Sequence, residues 1–309
     1  MRAITIGVFD GVHVGHAYIV KKMVEHARKF NLKATALVFA MPYDALFRPN
    51  DFYGLLTAPS ERSELLKNLG IEEVIIKDLR DVFQMDAMDF IKMLINDMKV
   101  RSIYVGHDFK FGNGARGNAE MLNEIGKREG FEVTIIPKIV KNGNRVSSSL
   151  IRYELKIGKP EVVSTYLGRY FSISGKVVRE RGIGTKIGFP TANLSRPKYS
   201  LLVPKHGVYM VRSMINGKIV HGVMNIGTRP TTDGNGKITY EIHFFEGGLN
   251  LIGRNLKVEL LCYMRPEFKF SNLLDLKDAI DHDVKVAKSM LNSITPFCDT
   301  KGAFKRSKT

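Results

Sequence analysis

Three things are scarce in this chain, and each scarcity removes a class of protein. Only two cysteines occur among 309 residues, Cys262 and Cys298. They have no CxxC spacing and no histidine cluster beside them, so neither a disulfide framework nor a zinc site is supported. Cys262, in an apolar strand-like run, reads as a small core residue. No apolar stretch approaches the ~18 residues a membrane-spanning helix needs. The N-terminus, Met1-Arg2-Ala3-Ile4-Thr5-Ile6-Gly7, has no apolar leader core or cleavage site, so a cytoplasmic protein without a membrane partner is expected. Acidic side chains are the third shortage: 31 Asp and Glu stand against 47 Lys and Arg, a net charge of +16. That balance points to an anionic ligand such as nucleic acid, a membrane surface or polyphosphates, or else to solvated Lys-rich faces. No basic run is interleaved with aromatics at a base-stacking spacing, which argues against nucleic acid. The residues from 301 to 309 read as a frayed basic end.

What is present is ordinary globular composition, 44% hydrophobic and 25% charged, on a length that suits about two domains. Up to residue 140 or so, β-branched runs alternate with helical patterns. Strands are expected at Ala3–Phe9, Ala34–Phe39, Glu73–Ile76, Ser102–Val105 and Glu132–Ile136. Helices are expected at His16–Phe30, Ser60–Leu69, Asp86–Met98 and Asn118–Glu129. This alternation predicts a doubly wound parallel sheet, with ligand sites at the carboxyl ends of its strands. A helical stretch, Ser148–Leu155 and Glu161–Leu167, bridges to a different grammar. Tyr170–Val178, Val208–Ile215, Ile219–Ile226, Thr239–Phe245 and Leu256–Tyr263 are five strand candidates without intervening helices. Asn216-Gly217 and Asp233-Gly234-Asn235-Gly236 mark hairpin turns between them. These features suggest a small antiparallel barrel or sandwich, followed by one helix from about Leu273 to Leu291.

Two constellations carry chemistry. At the end of the first strand stands Gly7-Val8-Phe9-Asp10-Gly11-Val12-His13-Val14-Gly15-His16. Imidazole N–H donors at a helix N-terminus suit an anion, and glycine lets the backbone approach it; the plainer reading is a tight turn whose histidines cap the helix. Farther on, Ser148 and Ser149 open a helix with Arg152 one turn later, a polyphosphate site or simply a capped N-terminus. In the second half, Arg181-Gly182-Ile183-Gly184-Thr185-Lys186 precedes Gly188-Phe189-Pro190-Thr191-Ala192-Asn193. Thr191 and Asn193 could turn two oxygens toward one Mg²⁺, while Gly182, Gly184 and Gly188 open the backbone to phosphate; a polar surface loop is the alternative. Asp281-His282-Asp283 reads as a solvated helix face, and Met88, Met93 and Met98 as packing residues.

Together these stretches resemble the prokaryotic bifunctional riboflavin kinase/FMN adenylyltransferase (FAD synthetase) family. Gly7–His16 is similar to its nucleotidylyltransferase signature, and Val105–Gly112 to its glycine-bounded flavin and nucleotide loop. Arg145–Arg152 is similar to its SSTxxR motif, with Ser149 in place of the usual threonine. Gly188–Asn193 is similar to the riboflavin kinase signature, and Gly222–Thr231, Glu241–His243 and Arg265–Phe270 to its later segments. The segment Phe39–Tyr43 departs by lacking a histidine that many relatives carry. The resemblance implies a nucleotidylyltransferase-like sheet domain over 1–157, a riboflavin kinase-like barrel closed by a helix over 158–292, and a basic tail over 293–309.

It also implies roles. His13, His16 and Glu241 are the catalytic positions, Glu241 as the base toward the riboflavin 5′-hydroxyl. Gly7, Phe9, Asp10, Gly15, Ser148, Ser149, Arg152, Gly182, Gly184, Thr185 and Gly188 fall at nucleotide-binding positions. Asp108, Phe109, Arg145, Arg265 and Glu267 fall at flavin-binding ones, though Arg265 and Glu267 could instead pair with each other. Thr191 and Asn193 fall at Mg²⁺ positions. Substrates and products would be riboflavin, FMN, FAD, ATP, ADP and pyrophosphate; no pattern in the chain sets an oligomeric state. Two rivals remain at this level: a nucleotidylyltransferase for another phosphate ester with an accessory β domain, and a basic nucleic-acid-binding protein.

Overall fold

The computed structural model describes residues 1–179, 188–196, 200–229 and 236–291. They form two compact units, taken separately below. In the first, β1 (Arg2–Gly7), β2 (Lys33–Phe39), β3 (Glu73–Lys77), β4 (Val100–Gly106) and β7 (Glu132–Ile136) make one parallel sheet in the order β3-β2-β1-β4-β7. The connecting helices are α1 (Val14–Lys29), α2 (Tyr43–Phe47), α3 (Pro59–Asn68), α4 (Arg80–Phe83), α5 (Ala87–Lys92) and α6 (Ala119–Glu129). Small hairpins follow β4 and β7: β5 (Lys110–Phe111) with β6 (Gly117–Asn118), and β8 (Val140–Lys141) with β9 (Asn144–Arg145); α7 (Ser148–Lys156) comes next.

The period-2 alternation of the strands builds both faces at once. Ile4, Ile6, Leu37, Phe39, Ile103 and Val105 point into one core cluster, while Ala3, Ala34, Ala36, Val38 and Tyr104 point into the other. The small alanines on the second face let α1 lie close, and its Val20, Met23, Val24 and Ala27 fill that layer at helical spacing. Burial on both faces explains why β1 and β2 read as continuous apolar runs. The chain leaves β1 toward β2 on one side and returns to β4 on the other. The carboxyl ends of β1 and β4 therefore flank a topological switch point, where a ligand crevice opens.

Helix ends obey local chemistry. Asn118 caps α6 by accepting from the Met121 N–H at 2.8 Å, and Gly130 ends it in the left-handed region, φ 79°. The expected helix Asp86–Met98 is α-helical only to Lys92 and continues as a π-helical turn, Met93–Asp97. Met98 is buried and Met93 packs against the core, but Met88 is exposed. Leu55 and Leu201 form an isolated parallel bridge, so residues 200–203 belong to this first unit.

After α8 (Pro160–Leu167), the second unit is a closed antiparallel barrel. It comprises β10 (Phe171–Val178), β11 (Ala192–Ser195), β12 (Gly207–Ile215), β13 (Lys218–Arg229), β14 (Lys237–Phe244) and β15 (Asn255–Arg265), in the order β10-β11-β14-β13-β12-β15. Five of the six strands match the sequence expectation; β11 does not, because the polar loop Gly188–Asn193 runs directly into it. Asn216 and Gly217, at φ 50° and 77°, make the expected two-residue turn between β12 and β13. The second expected turn, Asp233-Gly234-Asn235, lies outside the described residues, although β13 and β14 pair as far as Arg229 and Lys237. The closing helix α9 (Leu273–Leu291) sets Val284 and Ala287 against Tyr170, Val208 and Leu261 of the barrel cluster. Cys262 on β15 is half-buried, and burial pushes its thiol up to about 11, so it is inert at neutral pH.

Candidate active sites

Beyond β1 the chain coils tightly. Phe9, Gly11 and Val12 all take left-handed conformations, with φ of 53°, 81° and 39°. For Phe9 and Val12 such a backbone costs ~1 kcal/mol or more each, and such strain clusters at working sites. The coil delivers His13 to the N-cap of α1, where its Nδ1 accepts from the His16 backbone N–H at 3.2 Å. That bond places the proton of a neutral His13 on Nε2. The His13 and His16 rings stack with centroids 3.7 Å apart. Gly15 permits this, since a Cβ there would lie 3.1 Å from the His13 ring. Burial, then His13, then Arg62 push the His16 pKa well below the ordinary imidazole range, so His16 is neutral at physiological pH. The capping reading is thus correct for His13, and the same turn stacks a second imidazole upon it.

These groups line a cavity of about 460 Å³. Gly7, Phe9, Gly15 and both histidines come from the first motif; Gly106, Asp108 and Phe109 come from the end of β4; Arg145, Ser147 and Ser148 come from the β9–α7 segment. Asp108 and Arg145 form an ion pair at its exposed edge. Serine roles differ from the capping expectation: Ser147 accepts from the Leu150 N–H at 3.2 Å, while the Ser148 hydroxyl donates to the Asp10 carbonyl at 2.8 Å. Ser149 is exposed. Asp10 and Arg152 are placed behind the cavity rather than on its wall. The Asp10 carboxylate, 2% exposed, accepts from the Leu56 and Thr57 N–H groups and from Arg62 and Arg152. Arg152 also donates to the Gly54 carbonyl at 2.8 Å.

One feature of this site has no counterpart in the sequence reading. An apolar cavity of about 220 Å³ is walled by Tyr43, Leu79, Phe83, Phe90, Phe109 and Phe111. Phe39, Tyr43, Leu79, Phe109 and Lys110 line both this cavity and the larger one, so the two are contiguous. Tyr43 and Phe83 lie 5.4 Å apart and Phe109 stacks on Phe111 at 5.7 Å. Tyr43 belongs to the segment that departs from the family pattern. The wall is drawn from four separate loops and helices, so no local spacing announces it.

In the barrel, Asn193 on β11 stands opposite Glu241 on β14. Asn193 is 8% exposed and its Oδ1 is buried with no hydrogen-bond partner among the described residues. The His243 Nδ1–H donates to the Pro190 carbonyl at 3.1 Å and its ring receives Phe189 edge-on at 5.0 Å, which pins the loop before β11. Thr191 and His243 line two cavities at once. One, about 880 Å³, continues past Gly188, Asn193 and the apolar Leu249, Leu251 and Ile252. The other, about 270 Å³, holds Glu241, Arg229, Arg265, Glu267 and Phe268. Arg229 donates to Glu241 at 2.7 Å.

Two expectations about this second site are corrected. Arg265 pairs with Asp283, not with Glu267, through bonds of 2.8 and 2.7 Å. Glu267 instead accepts from Asn225 Nδ2 at 3.3 Å. Asp283 is therefore no solvated residue: it is 3% exposed, because it is the carboxylate that holds Arg265. Its neighbour Asp281 does face solvent, paired with Lys285. Gly182, Gly184 and Thr185 lie outside the described residues, as does 293–309.

The FAD synthetase family model matches residues 1–150, and the riboflavin kinase family model matches residues 167–291. Over 300 residues the chain is 33% identical to the bifunctional riboflavin kinase/FMN adenylyltransferase of Haemophilus influenzae, covering 94% of each chain. The chain belongs to the bifunctional riboflavin kinase/FMN adenylyltransferase family. The Escherichia coli K12 member is also 33% identical, over 95% of this chain and 94% of its own. A solved structure described as a macrolide-efflux protein from Streptococcus pneumoniae is 27% identical, with a TM-score of 0.84 over 93% of this chain and 94% of that one. Among the described residues, no helix is long and apolar enough to cross a membrane. The residues lining the cavity of about 460 Å³ all fall within the FAD synthetase region, and those lining the cavities of about 270 and 880 Å³ within the riboflavin kinase region.

Proposed function

We propose that the two reactions run in these two places: riboflavin is phosphorylated to FMN in the barrel, and FMN is adenylylated to FAD at the switch point of the sheet. The observation that carries this is convergence. Residues 7–16, 106–109 and 145–148 meet at one cavity, and residues 188–193, 225–229, 241–243 and 265–268 meet at the others. On this reading 1–157 is the adenylyltransferase, 158–292 the kinase and 293–309 a basic tail, in a cytoplasmic protein whose charge suits anionic substrates.

In the barrel site the 5′-hydroxyl of riboflavin attacks the γ-phosphorus of ATP, Glu241 accepts its proton, and ADP leaves. Arg229 orients the Glu241 carboxylate, and Asp283 holds Arg265 against the flavin side. The orphaned Asn193 oxygen, with Thr191 beside the same cavity, fits a hard divalent cation. Mg²⁺ held there would neutralise charge on the phosphates. Gly188 leaves the backbone open on the nucleotide side, and Gly182, Gly184 and Thr185 are the nucleotide positions that precede it in sequence.

In the sheet site a phosphate oxygen of FMN attacks the α-phosphorus of ATP, and pyrophosphate leaves. His13, through its Nε2–H, and neutral His16 supply N–H donors to the charge that develops there, with no proton transfer required. Gly7, Phe9 and Gly15 shape the backbone side of the cavity, and Ser148 and Ser149 open α7 toward the polyphosphate. The aromatic cavity suits the isoalloxazine ring, entered past Phe109 with the Asp108–Arg145 pair at its rim.

Incubation with riboflavin, ATP and Mg²⁺, followed by chromatography, tests the reading. H16A should stop FAD formation and leave FMN formation intact. E241Q should stop FMN formation and leave FAD formation from supplied FMN. Absence of both products from the unmodified protein under oxidising and reducing conditions would refute it.

A further inference from the structure

We infer that Arg62, which belongs to neither motif, is a positioning residue for adenylyl transfer, acting through Asp10 on the loop that presents His13 and His16. The inference rests on the adenylyl-transfer reading of that site. Arg62 sits on α3 with 0% exposure. Its guanidinium donates to the Phe39 and Ala40 carbonyls at the end of β2, to the Thr57 carbonyl, and to Asp10 at 3.4 Å. Asp10 is the junction: its side chain also takes Arg152 of α7, its carbonyl takes the Ser148 hydroxyl, and the next N–H, of Gly11, donates to Thr57 Oγ1 at 3.0 Å. The two catalytic-loop segments, 10–16 and 147–152, are thereby tied to each other and to β2 through one carboxylate.

A charge in this position is not there for packing. Enclosing a guanidinium carries a large desolvation cost, and an apolar side chain of like volume is often as stable or more so. Burial lowers the pKa of Arg62 itself, and its Nε is buried with no partner among the described residues. What the charge does supply is a surplus. Two guanidinium groups meet one carboxylate beneath the loop, leaving a net positive charge close to the His16 ring. The other charged and titratable groups on the cavity side are His13, Tyr43, His107, Asp108, Lys110, Lys138 and Arg145. Arg62 thus does two things to His16: it fixes the loop that carries the ring, and it favours the neutral imidazole.

The test uses the full chain and three variants, R62M, R62K and D10N. FAD formation from FMN is read as kcat and KM separately, and His16 is titrated by NMR. In R62M, kcat should fall by about 10- to 100-fold while the KM values for ATP and FMN stay within about threefold, because Arg62 is fully buried and does not line the cavity. The His16 titration midpoint should rise in R62M, stay in place in R62K, and fall further in D10N, where no carboxylate offsets the two arginines. Riboflavin phosphorylation in the same chain should be unchanged. A structural role alone would lower the folded fraction without moving the His16 midpoint. If R62M does not fold, the R62K and D10N pair decides, since kcat falls in both but the midpoint moves only in D10N. Folded variants with an unchanged kcat, or with no separation of midpoints, would overturn the inference. Full FAD formation by H16A would instead overturn the site reading on which it rests.

Discussion

Asp283 offers the sharpest test of how the barrel site is held together. Its carboxylate is almost fully enclosed and receives two bonds from Arg265, at 2.8 and 2.7 Å, whose side chain is 21% exposed. Replacing Asp283 by alanine leaves a largely buried guanidinium without its counter-ion. Breaking one side of a buried pair typically costs ~3–5 kcal/mol. Here Arg265 keeps a bond to the Pro266 carbonyl and some solvent contact, so ~2–4 kcal/mol is expected. For a unit of roughly 130 residues, each kcal/mol shifts Tm by about 4 °C, which puts the loss at roughly 8–16 °C. Calorimetry of the full chain should show this in the barrel transition and not in the sheet transition. The KM for riboflavin should rise as Arg265 loses its fixed direction, while FAD formation from FMN holds. The double variant D283A/R265L should be more stable than D283A alone, because it removes the stranded charge. An unchanged barrel Tm together with an unchanged riboflavin KM in D283A would refute the reasoning.

Other outcomes follow from single observations. Gly15→Ala sets a Cβ 3.1 Å from the His13 ring, so FAD formation should fall at least tenfold by steady-state kinetics with little loss of folding. Asn193→Ala removes a buried orphan acceptor, so the ligand-free barrel should be as stable as the parent or up to ~1 kcal/mol more so, while kinase activity and Mg²⁺-induced thermal stabilisation are lost. Glu73, bonded to Arg2 and Lys33, has its pKa lowered from 4.5 to about 2. Its stabilisation is therefore complete above pH 4.5 and disappears as pH falls toward 2. Solvent screening limits it to ~1 kcal/mol or less, and Glu73→Gln should flatten denaturant-melt stability over that acid range.

Much of the architecture was legible because it is written in short-range pattern. Strands buried on both faces make continuous apolar runs, helices between them repeat every three to four residues, and Asn216-Gly217 can turn a hairpin by itself. The position of Gly7–His16 after β1 followed from the same grammar. Even the pairing of His13 with Gly15 is local, one ring lying where a Cβ would otherwise be. What pattern could not contain is long-range. Asp10 and Arg152 meet across 142 residues of chain, and their contact turns two expected ligand-facing side chains into the frame behind the cavity. Asp283 read as solvated because helix periodicity is blind to Arg265 on a strand 18 residues earlier. The four residues of β11 were too few to show a period beside a Gly/Pro loop, and only pairing with β10 and β14 closed the barrel. The aromatic cavity likewise gathers side chains from positions 43 to 111 that carry no mutual signal in sequence. Backbone preference and burial period act over a few residues and so belong to the sequence. Which charges neutralise each other, and which surfaces enclose a space, is decided only when distant segments pack.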